Sequence, residues 1–198
     1  VGAMHYTYDN QTEKDLAFYR SMPICEKITM QGAADLVICH GSPESNTQKL
    51  QRDNPDTLQY LEKSPYEYII YGHIHRQGIV EHDGTKAINP GAVGVPAGSF
   101  GKTQFMILHQ DGRDWREEFF SLDYDRERVL KEIKESGLEE ITPYWTRVTK
   151  KLVTDGSVTH GRVLTKAMEL CEKENCNSPW YDIPDRFWEE ALRFYGVE

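Results

Sequence analysis

The chain has 198 residues, a hydrophobic fraction of 38%, a charged fraction of 28% and a formal net charge of −9. That length allows one domain, or one domain with an appendage, around a core of useful size. The acidic balance excludes a general nucleic-acid binder, whose surface should be basic, and no apolar run reaches the length of a membrane span.

Residues 1–12 are polar and tyrosine-rich, without a clear period and without a signal-peptide pattern. Thr12 to Met22 reads as a short helix, with Thr12 as N-cap, Asp15 in the first turn and Pro23 beyond the end. Ile24 to Met30 predicts a strand that turns at Gln31-Gly32. Ala34 to Cys39 predicts a second strand, and its unbroken apolar run predicts burial on both faces. Glu44 to Pro55 reads as a loop with some helix. Asp56 to Lys63 reads as a helix with Leu58 and Leu61 inward, and Tyr66 to Tyr71 as a third strand. Gly78–Glu81 and Thr85–Ile88 flank Asp83-Gly84, a type I′ hairpin signal. A second hairpin, Gln104–His109 with Trp115–Leu122, is centred on Asp111-Gly112.

From Asp123 onward the pattern is helical. Helices are predicted over Arg126–Ser136, with Gly137 as the stop, and over Pro143–Val153, Val158–Glu174 and Pro184–Tyr195. Trp145, Trp180 and Trp188 read as packing residues of these helices, and Arg147, Lys150 and Lys151 as a solvated face. Of the four cysteines, Cys39 reads as a buried apolar residue, and the spacing of Cys171 and Cys176 does not suit a zinc knuckle. A reducing, cytoplasmic setting is the simplest expectation.

Three predicted strands end in polar, glycine-adjacent motifs: His40-Gly41-Ser42-Pro43, Gly72-His73-Ile74-His75 and Asn89-Pro90-Gly91-Ala92-Val93-Gly94. In an open α/β sheet, ligands gather beyond the carboxyl ends of the strands. If the third strand stays extended, His73 and His75 share a face. Neutral imidazole is the commonest metal ligand, although a lone His-x-His pair is more often a surface or core feature. Other polar residues have plainer readings. Ser42 turns a loop, Asp35 belongs to a turn, His82 lies on a hairpin, and His109 and His160 are structural. Arg76 reads equally as a phosphate contact or a solvated arginine.

In this order the three motifs resemble the second half of the calcineurin-like metallophosphoesterase family, and within it the small bacterial phosphodiesterases and dinucleoside-polyphosphate hydrolases. The resemblance covers residues 12–122, with Ala92 where serine is usual. It implies an α/β (α+β) fold of two packed mixed β-sheets flanked by helices. Residues 1–122 would be the C-terminal half of such a domain, and residues 123–198 a helical appendage packed on it. It further implies that His40 and His73 ligate one metal and His75 a second, with Asn89 to Gly91 shaping the loop beside the phosphate site. The ions would be manganese, iron or zinc. Two of them about 3.5–4 Å apart clamp a phosphoryl group and activate water, for a phosphodiester, nucleotide or dinucleoside-polyphosphate substrate.

The family's first-half motifs, Asp-x-His, a Gly-Asp pair and Gly-Asn-His-Asp, do not occur in the chain, and His5 and Asp9 sit in no matching motif. No catalytic acid is therefore named. With Val1 as first residue, three expectations stand side by side: a longer protein, a first half supplied by another chain, or an inactive relative that serves as a binding or scaffold module. Expected partners are a phosphorylated small molecule or nucleotide and no membrane, with homodimerisation left open.

Overall fold

A computed structural model describes residues 2–197. Its elements are α1 (Gly2–Asp9), α2 (Glu13–Ser21), β1 (Cys25–Ile28), β2 (Leu36–Cys39), α3 (Pro55–Glu62), β3 (Tyr68–Tyr71), β4 (Gly78–His82) and β5 (Thr85–Asn89). There follow β6 (Thr103–Asp111), β7 (Asp114–Leu122), α4 (Arg126–Glu135), α5 (Leu138–Ile141), α6 (Pro143–Thr154), α7 (His160–Lys173) and α8 (Asp185–Phe194).

The chain divides into two compact units. The first holds both sheets, over Arg20–Ala97 and Thr103–Leu122. Five strands form a mixed sheet in the order β1-β2-β3-β5-β4. Strands β2, β3 and β5 are parallel neighbours, while β1 and β4 run antiparallel at the two edges. The path from β2 to β3 passes through α3, the crossover that parallel strands require. Asn54 caps α3 by accepting from the Asp56 N–H at 3.0 Å, and Pro55 follows it at the first helical position.

Alternation along the strands divides the packing between two faces. Val37, Ile69, Tyr71 and Ala87 meet Leu50, Leu61 and Val80 in one apolar cluster, with Leu58 and Tyr60 of α3 against it. The opposite face carries the β6–β7 hairpin. There the Trp115 indole N–H donates to the Ala34 carbonyl at 2.8 Å, and the Gln77 amide donates to Phe105 and Phe120 carbonyls at 3.0 and 2.9 Å. Lys86 and Glu117 form a half-buried ion pair across this layer at 2.7 Å.

Several expectations need revision. Burial of β2 on both faces fails at Ile38, which is 46% exposed. The two-stranded second layer reaches Leu36 and leaves Ile38 uncovered. Glu44 to Asn54 contains no helix, and Pro55 already belongs to α3. The second hairpin turns on Gly112-Arg113, one residue later than expected, because Asp111 pairs with Asp114 and Gly112 takes the positive φ of 61°. Asp83 and Gly84, at φ 47° and 80°, make the expected turn of the first hairpin.

The second unit joins the chain up to Tyr19, Gly98–Lys102 and the chain from Asp123 onward. Residues expected to lack regular structure at the start form α1, where the Tyr6 hydroxyl donates to the Ser136 carbonyl at 3.2 Å. The predicted helices are present with ends shifted by a residue or two, and α5 is an additional turn after Gly137, at φ 72°. Its core gathers Val148, Leu152, Val163, Ala167, Phe187, Ala191 and Leu192. No helix of the described residues is long and apolar enough to cross a membrane.

Candidate functional site

The three expected motifs lie at the carboxyl ends of β2, β3 and β5, which are adjacent and parallel. His40 follows β2. Its carbonyl accepts from the Gly72 N–H at 2.8 Å, so the ladder runs one step past both strands and levels the two motifs. Gly41 is required after it, because a β-carbon there would stand 2.5 Å from the Ser45 carbonyl oxygen. Ser42 is fully buried, and its Oγ accepts from the Glu44 and Ser45 amides. That is the turn role expected of it.

Strand β3 stops at Tyr71, so the shared-face argument for His73 and His75 does not apply. The Ile74 N–H bonds back to the Gly72 carbonyl at 2.7 Å, closing a γ-type turn around His73. His73 and His75 both sit in the left-handed region, at φ 61° and 53°. Asn89 holds this turn in place. It is fully buried, its amide nitrogen donates to the Gly72 carbonyl at 2.6 Å, and its amide oxygen accepts from the Gly91 N–H at 3.0 Å. Both ends of the Asn89 amide are thus engaged by backbone. Gly91, at φ 88°, could carry no side chain, because a β-carbon would lie 2.7 Å from Gln104.

This scaffold brings two of the three candidate ligands together. His40 Nε2 and His73 Nδ1 are 3.3 Å apart, and their rings meet edge to face. Two nitrogens bound to one tetrahedral ion at about 2.0–2.1 Å would themselves be separated by roughly 3.3 Å. The spacing therefore fits two ligands of a single ion. Burial, then the neighbouring His40, Lys49 and His75, hold His73 below the usual imidazole range, while a hydrogen bond to the Thr47 backbone works the other way. A neutral ring keeps the lone pair a metal needs.

His75 is turned elsewhere. Its Nδ1 lies 3.2 Å from the Val95 carbonyl, a group that can only accept, so Nδ1 is the donor of this contact and Nε2 is the nitrogen available to a metal. Metal-bound histidines are commonly oriented by such a contact on their far nitrogen. The Ala97 N–H donates to the His75 carbonyl at 2.7 Å and fixes the same loop. Arg76 is exposed beside it.

Among the described residues no group of three or more His, Cys, Asp and Glu side chains is placed to hold a metal ion. The donors present suit one ion with two imidazoles, and they do not by themselves make a two-metal centre. The Cys39 thiol donates to the Ile70 carbonyl at 3.7 Å, and burial pushes it up to about 12. His5 and Asp9 are exposed on α1. Asp35 pairs with Lys27 at 2.5 Å, and His109 pairs with Glu118 at 2.8 Å across the β6–β7 ladder. Sequence reasoning missed the contribution of Thr47 and Lys49 around His73. Both lie in a polar loop whose path no local pattern specifies.

The calcineurin-like phosphoesterase superfamily domain matches residues 7–113, more than half of the 198-residue chain. In structure the chain is similar to a hypothetical protein from Pyrococcus horikoshii, with a TM-score of 0.60 and 18% identity, over 78% of this chain and 59% of that one. It is also similar to a metallophosphoesterase from Sphaerobacter thermophilus, with a TM-score of 0.57 and 17% identity, over 76% of this chain and 66% of that one. The chain thus spans somewhat under two thirds of the length of these relatives. No curated protein matches it in sequence. Mixed and antiparallel sheets flanked by helices, with His-Gly, Gly-His-x-His and Asn-Pro-Gly at adjacent strand ends, agree with the domain match: the chain belongs to the calcineurin-like phosphoesterase superfamily.

Proposed function

We propose that the chain carries the second-half residues of a metal-dependent centre that hydrolyses phosphate esters. His40 and His73 are two ligands of one divalent ion, and His75 is a ligand of a neighbouring one. The observation that carries this reading is the 3.3 Å approach of His40 Nε2 to His73 Nδ1 at the ends of adjacent parallel strands. Imidazole donors suit manganese, iron or zinc. A bound ion of this kind polarises phosphoryl oxygens and activates water. The chain's own residues then have distinct tasks. Asn89 and Gly91 hold the backbone of the histidine turn within reach of a phosphate, and exposed Arg76 offers it a cation. The substrate is a phosphodiester, a nucleotide or a dinucleoside polyphosphate, handled in a reducing cytoplasm that agrees with free thiols at all four cysteines.

A second reading, a catalytically inactive binding or scaffold module, is favoured by the lack of a third ligand near His40 and His73 among the described residues. Metal content and hydrolysis separate the two. The purified chain is loaded with manganese or zinc, desalted, and assayed by elemental analysis and with bis-p-nitrophenyl phosphate. The first reading expects retained metal that His40→Ala and His73→Ala each abolish, with hydrolysis lost in the same variants. A folded chain that holds no metal and hydrolyses nothing favours the second. A folded chain that retains no metal, or that retains it equally in both variants, ends the assignment of these ligands.

A further inference from the structure

The helical unit contains a cavity of about 320 Å³ whose lining includes five aromatic side chains. Tyr144, Trp145 and Trp188 come from α6 and α8, and Trp180 and Tyr181 from the segment before α8. Among the described residues that line it, Asp185 alone carries a charge. Packing was the expected role of these tryptophans, yet Trp145 is 38% exposed and Trp180 is 46% exposed. The Tyr144 and Trp188 rings are parallel, with centroids 6.1 Å apart, and Trp180 meets Tyr181 edge to face at 5.7 Å. One face of Trp145 is covered by His160, with ring centroids 4.0 Å apart.

An aromatic ring is negative over its face, and a cation near that face is attracted to it. A single carboxylate adds a full negative charge at the same place. Among the described residues Arg162 lies over Tyr195, Lys166 over Phe194 and Arg186 over Phe187, and none of these three rings lines the cavity. Burial, then the charges of Asp185 and Glu189 and a hydrogen bond to Asp185, raise the Tyr144 hydroxyl above its ordinary range, while Arg147 works the other way. The Asp185 carboxylate disfavours phosphates and carboxylates in this space. The space suits a cation that is bulky, weakly hydrated and without strong hydrogen-bonding demands.

We propose that this cavity binds the quaternary ammonium group of a small molecule, held by cation–π contact with Tyr144, Trp145, Trp180 and Trp188 and by charge attraction to Asp185. Its size suits a small molecule. This site is independent of the histidine cluster and does not rest on the phosphoesterase reading.

The test is a titration of the ¹⁵N-labelled 198-residue chain, followed through its tryptophan indole N–H resonances. Choline chloride is compared with 3,3-dimethyl-1-butanol, the uncharged molecule of nearly the same shape, at constant ionic strength. The expected result is saturable indole shifts with choline, and binding of the alcohol weaker by about tenfold. Trp180→Ala and Asp185→Asn, both at exposed positions, should each weaken choline binding several-fold while leaving the rest of the spectrum in place. Equal affinity for the alcohol would overturn the proposal. So would the absence of saturable shifts in the folded protein, or unchanged choline affinity in either variant.

Discussion

His73 and His75 hold backbone angles in which a β-carbon crowds the neighbouring carbonyl, at a cost of roughly 1–2 kcal/mol per residue. Strain of this kind persists where the surroundings over-determine it, and it concentrates at functional sites. His73→Gly and His73→Ala both remove the imidazole, so their difference isolates the backbone. The glycine variant should be the more stable by about 1 kcal/mol in urea denaturation; equal stabilities would mean the turn relaxes when the ring leaves. Asn89 makes a second test. Asn89→Ala leaves the part-buried Gly72 carbonyl without its side-chain donor, and should cost about 1–3 kcal/mol. The imidazoles were legible in the sequence as a motif, but their arrangement was not. Period-two reasoning assumes an extended chain, whereas Gly72 begins a turn whose shape is set by Asn89, seventeen positions away in sequence. The asparagine looked like a phosphate neighbour because Pro-Gly followed it, and its burial could be seen only in the folded sheet.

Among the elements, α3 and the β6–β7 hairpin show how local signals and long-range contacts divide the work. Asn54 is a preferred N-cap residue immediately before Pro55, so Asn54→Ala should destabilise by about 1 kcal/mol, read by chemical denaturation. Its signal is wholly local, and the sequence gives the helix to within a residue at each end. The ion pair of Glu67 with Arg113 is not local, since it joins the lead-in to β3 with the second hairpin. Hydrogen bonding to the Arg113 guanidinium holds the Glu67 carboxyl below its ordinary value of 4.5. A lowered carboxylate contributes stability above 4.5 that fades as pH falls through the folded value. Glu67→Gln should therefore show a shallower loss of stability than the wild type below that pH, with the two curves running parallel at neutral pH. Because the group is exposed, the difference should shrink in high salt. Helix α1 was illegible for a related reason. It has no buried side chain and no apolar stripe, and it meets α5 through contacts such as that of Tyr6 with Ser136. Partial exposure of Ile38 was equally hidden, because an apolar run tells what a strand could bury and not how wide the covering layer is.

At the scale of the whole molecule, neither compact unit is one continuous stretch of chain. The change of composition at Asp123 marked where the helical residues begin, and it gave no sign that Gly98–Lys102 and the first helix belong with them. Gly98 donates to the Gly156 carbonyl at 2.9 Å, and Gly101 passes so close to Thr154 that a β-carbon would stand 2.4 Å from its carbonyl oxygen. Gly101→Ala, with φ already at 74°, should cost more than about 1 kcal/mol, and hydrogen exchange should show the loss first in α6. The interleaved path also governs how the protein is made. A ribosome releases the amino terminus first, at about 5–20 residues per second. By the time Leu122 has emerged, every strand of both sheets is available to pair, while α1 and the 98–102 segment still await α5 and α6. The sheets can therefore close early, while α1, although it precedes every strand in sequence, must wait for α5 before it finds its place.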